Sequence, residues 1–206
     1  MRTLGHNVYR PQRLISYVVA SDDGLAPNVS GGICTLAVCK PVIRQVSKIG
    51  QDWILGISTS THGRNRLVYA MQVDEKIPYA DYFTDPRFAN KKPGIDRQGD
   101  NFFCFRRGHY KIAFNNAAHF GKPEKIARDL KVPLTVVSHH FWYFGGNAPE
   151  LPADISRTNI VVPGKSRRGH RLNSGPSVIA SFMKWIEQYP PGIHGRARDI
   201  AAPLTP

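Results

Sequence analysis

Short apolar runs separated by polar, glycine-containing connections follow one another along the chain. Residues 14–19, 52–57 and 66–73 are rich in β-branched and aromatic side chains, a composition that favours β-strands. Between the first two runs, Pro41 precedes apolar residues at helical spacing and predicts a short helix that begins there. The polar residues of this region lie mainly in the connections, where binding groups are often carried on a rigid frame.

The rest of the chain mixes short helices and strands. Residues 176–189 form the clearest predicted helix, and one face of it carries the apolar side chains Val178, Ile179, Phe182, Trp185 and Ile186. Further elements are predicted by shorter patterns: helices at 77–83 and 123–130, strands at 102–105 and within 134–146, and a breaker-rich loop at 90–101.

These elements predict an α/β (α+β) fold with a mixed β-sheet and helices packed against it. We expect an N-terminal arm at 1–13, a single domain at 14–190 and an irregular tail at 191–206. A chain of 206 residues with 41% hydrophobic residues is large enough to bury a core of this kind.

The charge balance narrows the choice of partner. Lysine and arginine number 28 against 15 aspartates and glutamates, which gives a formal net charge of +13. This excess suits nucleic acid, a nucleotide or an anionic membrane surface, although a basic surface without such a partner is an open alternative. No apolar run is long enough for a membrane span, so we expect DNA or a nucleotide as the partner and no membrane.

Ten basic residues lie in or beside the predicted connections and are candidates for nucleic-acid binding. Some are interleaved with aromatic residues, an arrangement used to hold single strands or flipped bases, but also produced by a strand that alternates core and solvent. A solvated basic face is the alternative for the others. The ten are Lys40, Arg44, Arg64, Arg66, Arg106, Arg107, Lys111, Arg167, Arg168 and Arg171.

Four residues are candidates for a base pocket. Asp23 and Asn28 belong to a turn-rich segment and either read a base edge or simply turn the chain. Asn101 is the last residue of the breaker-rich loop, and Trp53 is either a core anchor or a wall on which a base stacks.

Catalysis is the second function class that the residues allow. Asp100, His139 and His140 are the candidate acid–base groups, although no nucleophile elbow, zinc-deaminase signature or Rossmann fingerprint accompanies them. Cys34 and Cys39 lack the spacing of a standard zinc module, so we expect no metal and no cofactor. Three cysteines, an odd number, do not suggest a disulfide framework and fit a reducing cytoplasm.

Several segments together resemble the nucleotide modification associated domain 2 family. They are residues 16–19, 23–28, 34–44, 52–56, 66–71, 81–83, 85–88, 99–101 and 143–145. The resemblance implies association with systems that make or handle modified DNA bases, and with other proteins of such systems. The order of elements is also similar to that of PUA-like domains, which implies a partly closed sheet or barrel with a ligand pocket at one end.

Two functions follow as the main hypotheses, and a structural interaction partner within a multi-protein system is a third, open alternative. The first is a module that binds DNA or nucleotides and recognises a modified base within a DNA-modification or defence system. The second is an enzyme that modifies or removes a nucleobase by Asp/His acid–base chemistry.

Overall fold

A computed structural model describes residues 8–93, 99–114, 123–158, 160, 169–172 and 174–199. Its strands are β1 (Arg13–Val19), β2 (Cys34–Leu36), β3 (Asp52–Ser58), β4 (Leu67–Gln72), β5 (Glu75–Pro78), β6 (Phe103–Arg106), β7 (His109–Ile112), β8 (Leu134–Ser138), β9 (Phe141–Tyr143), β10 (His170–Arg171) and β11 (Gly192–Ile193). Its α-helices are α1 (Pro41–Val46), α2 (Tyr79–Thr84), α3 (Pro123–Leu130), α4 (Ala153–Ser156) and α5 (Pro176–Ile186).

Most strands belong to a six-stranded mixed sheet with the order β10-β1-β3-β4-β9-β11. Its centre is the parallel pair β1 and β3, in which Ile15 lies opposite Ile54. A parallel pair needs a crossover between its strands, and here the crossover contains β2 and α1. The connection between β2 and α1 lies at the carboxyl end of β1, where Lys40 Nζ donates to the Val18 carbonyl.

A second sheet of three strands, β2-β8-β5, continues from the first. β4 pairs with β9 in the first sheet, and β5 pairs with β8 in the second. Both pairs are antiparallel and have the same register, since Met71 lies opposite Phe141 and Lys76 lies opposite Val136. The segment β4–β5 and the segment β8–β9 therefore form one two-stranded ribbon that belongs to both sheets. The α+β class is confirmed, but the described strands do not close into a barrel.

Two apolar cores lie beneath these sheets. The larger contains the buried face of the six-stranded sheet and the face of α5 that the sequence predicts, with Ile179, Phe182, Trp185 and Ile186 buried. The smaller one contains α2 and the base of the β6–β7 hairpin, and its residues include Tyr79 and Phe103.

Two segments differ from the prediction. The predicted helix at 77–83 begins only at Tyr79, because Glu75–Pro78 pairs with β8 as a strand. The predicted irregular tail contains Gly192–Ile193, which extends the sheet edge beside β9. In both cases hydrogen bonds to a strand that is distant along the chain determine the conformation, and the local sequence does not indicate which strand that is.

Candidate functional site

A cleft of about 530 Å³ opens where β1 ends and α1 begins. Its basic side chains come from three places in the chain: Lys40 before α1, Lys125 and Arg128 on α3, and His170 on β10. Asp23 is the carboxylate among its lining residues. Apolar groups complete the walls, among them Tyr17, Val19, Leu25, Val42 and Ile43. This basic cleft combines an apolar surface with groups that attract an anion.

The backbone on one wall of the basic cleft is held in an unusual conformation. Cys39 and Lys40 have φ angles of 61° and 43°, so two consecutive residues with side chains adopt left-handed geometry. Such geometry costs on the order of 1–2 kcal/mol per residue and persists only where the surroundings enforce it. Here the Cys39 N–H donates to Asp129 Oδ1 at 2.8 Å, and Arg44 Nε donates to the Cys39 carbonyl at 2.8 Å.

That turn directs the Lys40 side chain across the end of β1. Its Nζ lies 4.5 Å from the centre of the Tyr17 ring and donates to the Val18 carbonyl at 3.1 Å. Burial raises the pKa of the neighbouring Cys39 thiol to about 11, so this thiol is protonated at neutral pH. The positive charge of Lys40 is therefore presented beside a neutral thiol.

Arg44 does not reach the basic cleft, which corrects the expectation of a phosphate contact. Its side chain is fully buried and lies 3.8 Å from the carboxylate of Asp129. Besides the Cys39 carbonyl, it donates to three further main-chain carbonyls, those of Val132, Leu134 and Asp129. Because α1 turns this side chain inward, Arg44 joins α1 to the end of α3 instead of facing solvent.

Asn28 and Asp100 belong to a second polar group, closed to solvent, that we name the closed polar cluster. It consists of Asn28, Thr35, Tyr82, Lys91 and Asp100, each at most 1% exposed. The Asp100 carboxylate accepts a hydrogen bond from Thr35 Oγ1 at 2.7 Å and one from the Tyr82 hydroxyl at 2.6 Å. Burial raises the pKa of Asp100, because removal from water disfavours the charged carboxylate.

Lys91 connects this cluster to the loop that precedes β2. Its buried Nζ donates to the main-chain and side-chain oxygens of Asn28 at 3.2 and 2.8 Å, and to the Ile33 carbonyl at 2.8 Å. Asn28 Nδ2 in turn donates to the Gly24 carbonyl at 2.8 Å. The cluster therefore fixes the loop whose opposite end carries Asp23 into the basic cleft.

Asn101 and Trp53 are buried as well. Asn101 Nδ2 donates to the Tyr82 carbonyl at 2.9 Å. Trp53 is fully buried in the larger core, where its ring centre lies 5.3 Å from that of Trp142. The core role of Trp53 is the one that the structure shows, and the described structure leaves no face of this ring open for a base.

His139 and His140 lie in the bend between β8 and β9. His139 Nε2 is 3.0 Å from Glu75 Oε1, and the main-chain N–H of His139 donates to Asp74 Oδ2 at 2.6 Å. The ring of His140 packs edge-on against Trp142, and burial lowers its pKa. None of these described contacts joins either histidine to Asp100.

The other candidate cations occupy three surfaces. Arg64 and Arg66 are exposed in the loop before β4, where Arg66 Nη1 donates to the Ala148 carbonyl at 3.1 Å. Arg171 is partly exposed on β10, opposite Ser16. The exposed hairpin β6–β7 carries Arg106, Arg107 and Lys111, whereas Arg167 and Arg168 lie outside the described residues.

Sequence reasoning missed Lys125 and Arg128 as lining residues of the basic cleft. They are three positions apart on α3, a spacing that places them on one helix face. That spacing indicates a basic helix face, but no feature of the neighbouring sequence indicates that this face lies beside Lys40.

The described residues contain no group of three or more histidine, cysteine or acidic side chains arranged to hold a metal ion. Nor does any helix in this part of the chain have the length and apolar character needed to cross a membrane.

Neither the curated proteins nor the solved structures contain a match for the chain. A family model described as nucleotide modification associated domain 2 matches residues 11–203. The match contains the basic cleft, the closed polar cluster and the β6–β7 hairpin, and it confirms the resemblance found in the sequence. The chain belongs to the nucleotide modification associated domain 2 family.

Proposed function

We propose that the chain binds DNA or nucleotides at the basic cleft and recognises a modified base there, as part of a DNA-modification or defence system. The observation that carries this proposal is the composition of the basic cleft, in which Lys40, Lys125, Arg128 and His170 lie beside apolar walls. Pockets for small molecules are commonly apolar with a few polar groups that orient the ligand.

A nucleotide has parts that match each side of the basic cleft. Its phosphate pairs with Lys40, Lys125 and Arg128, which position the ligand without reading the base. Its base lies against the apolar wall. Asp23 accepts the Leu25 N–H at 3.2 Å with one oxygen, and a carboxylate has capacity for further donors such as the amino group of a base.

The enzyme hypothesis receives less support from the geometry. Asp100 has both carboxylate oxygens engaged in the closed polar cluster, and His139 is bonded to Glu75 instead. A general acid–base pair needs its groups within reach of one substrate atom. We therefore favour binding, with catalysis as an outcome that the experiment detects.

The test is a salt-titrated binding measurement with deoxynucleoside monophosphates and short DNA, both with ordinary and modified bases, followed by mass spectrometry of the recovered ligand. We compare the unaltered chain with Lys40→Gln and Arg128→Gln, and with Lys184→Gln as a control on an exposed face of α5. Each cleft substitution should weaken DNA binding and reduce the salt slope by about 1, because one phosphate contact is lost.

The control should bind like the unaltered chain. Equal affinities for all four proteins would show that the basic cleft is not the binding site. A changed ligand mass would show that the protein is an enzyme.

A further inference from the structure

The hairpin β6–β7, which we name the basic hairpin, separates its aromatic and cationic side chains. Phe105 lies opposite Tyr110, with ring centres 5.1 Å apart, and Arg106 lies opposite His109 in the register. Successive residues of a strand point to opposite faces, so Phe105 and Tyr110 share one face while Arg106 and Lys111 share the other. Cations and aromatic rings are thus ordered on two sides of one thin ribbon.

The basic hairpin is anchored at one end and open at the other. Phe103 is buried at the base and stacks on Tyr79, with ring centres 4.8 Å apart and planes 9° apart. Tyr110 meets the same ring edge-on at 6.0 Å. Beyond this anchor Phe105 is 51% exposed, so a large aromatic ring faces solvent on a fixed support.

The tip of the basic hairpin is strongly cationic. Arg107 and Gly108 have φ angles of 52° and 80°, the geometry of a two-residue type I′ turn, which places Arg107 at the tip. Residues 102–112 include no acidic side chain. Nor does any ion pair of the described residues involve Arg106, Arg107 or Lys111.

One ring connects the basic hairpin to the basic cleft. The Tyr79 hydroxyl donates to the Ala37 carbonyl at 2.5 Å, two residues before Cys39 in the cleft wall. The buried Arg44 guanidinium lies 5.5 Å from the centre of the same ring. The anchor of the hairpin and the wall of the cleft therefore rest on a shared part of the smaller core.

We infer that the basic hairpin holds a single-stranded segment of nucleic acid whose unpaired nucleotide occupies the basic cleft. One base stacks on the exposed face of Phe105, and the phosphates pass around the tip to Arg106, Arg107 and Lys111. A single strand is the partner because duplex bases are already stacked on one another and offer no free face to Phe105. This inference rests on the proposed function, since it names the form of nucleic acid that the cleft receives.

The experiment measures binding of three probes: a mixed-sequence DNA single strand of about twelve nucleotides, the matching duplex and a deoxynucleoside monophosphate. The variants are Phe105→Ala and the double substitution Arg106→Gln with Lys111→Gln. Matched controls are Ile49→Ala and Lys48→Gln, an exposed apolar and an exposed cationic residue on the turn between α1 and β3. Lys40→Gln reports separately on the cleft.

We expect Phe105→Ala to weaken single-strand binding roughly tenfold, because one base loses its stacking partner. The double substitution should reduce the single-strand salt slope by about 1.4, since each lost phosphate contact contributes about 0.7. Neither change should alter binding of the monophosphate, and the controls should match the unaltered chain.

Three outcomes would overturn the inference: unchanged single-strand affinity in Phe105→Ala, an equal loss in Ile49→Ala, or duplex binding as tight as single-strand binding. The proposed function fails separately, through monophosphate binding that is absent or insensitive to Lys40→Gln. The two ideas are therefore distinguished by different probes and different variants.

Discussion

The basic cleft and the closed polar cluster are two polar regions built on opposite ends of one loop, and they differ in what their charges face. In the closed polar cluster, Asp100 and Lys91 are buried, and their hydrogen-bond partners are main-chain and side-chain groups of the protein. In the basic cleft, Lys40 and Arg128 line an open space, and Lys40 itself has left-handed backbone geometry.

This contrast separates charges that stabilise the fold from charges that a ligand can reach. A buried charge whose hydrogen-bonding capacity is met inside the protein stabilises the frame, and its loss shows first as lost stability. A charge beside an open cleft contributes little to stability and is available to a ligand. Asp100 and Lys40 thus have different roles although both are charged residues of polar connections.

The largest expected effect comes from breaking the closed polar cluster. Asp100→Ala removes the closest acceptor of the Thr35 and Tyr82 hydroxyls and leaves Lys91 without its neighbouring carboxylate. We expect the free energy of unfolding to fall by about 3 kcal/mol, the cost of buried polar groups that lose a partner. Urea denaturation measures the change.

Glu187→Ala is the control for that measurement, because it removes an exposed carboxylate and should change stability by less than about 0.5 kcal/mol. The folded fraction of Asp100→Ala should still bind a nucleotide. Unchanged stability together with lost function would contradict the structural role and support Asp100 as a catalytic group.

A smaller effect on stability is expected from the left-handed backbone at Lys40, and it can be distinguished from the effect of the Lys40 charge on binding. Lys40→Gly and Lys40→Ala both remove the cation, but only glycine adopts a φ angle of 43° without steric cost. The glycine variant should therefore be more stable than the alanine variant by about 1 kcal/mol, while both lose nucleotide binding to the same extent. Thermal denaturation and the binding titration are made on the same samples. Equal stability of the two variants would show that the left-handed geometry stores no strain.

The smallest expected effect is a dependence of stability on pH. Burial raises the pKa of Asp100 in the folded state above its value in the unfolded chain. The folded state then holds a proton that the unfolded chain releases, so this stabilising contribution is lost as pH rises through the folded-state pKa. The side chain of Asp100→Asn cannot titrate, so the stability of this variant does not contain this pH-dependent contribution.

The free energy of unfolding of the unaltered chain should therefore decrease relative to Asp100→Asn as pH rises from the ordinary aspartate pKa, about 4, through the raised folded-state pKa of Asp100. Urea denaturation at intervals across this range measures the difference. Parallel curves for the two proteins would show that Asp100 titrates alike in both states.

Elements with a strong local pattern could be predicted well. The apolar sequence runs that form β1, β3 and β4 were predicted as strands, and Pro123–Leu130 was predicted as the helix that the structure shows. β5 was assigned partly to a helix because its strand conformation depends on pairing with β8, about sixty residues away along the chain.

The candidate site was predictable only in part. Asp23 and Lys40 were expected at a binding site, and both line the basic cleft. Arg44 has the same residue type and neighbourhood in sequence, yet it is fully buried against Asp129. Residue type indicates which side chains can bind a phosphate, but the direction of each side chain depends on the packing around it.

Composition and short-range patterns were sufficient to establish the basic charge, the class of fold, most of the strands and the family. These properties depend on residues that are close together along the chain, so they can be recognised without knowledge of distant contacts. Long-range packing, in contrast, places Lys40, Arg128 and His170 beside one cleft and encloses Asp100. Burial and side-chain direction arise from contacts between residues far apart along the chain, and these contacts determine which charges a ligand can reach.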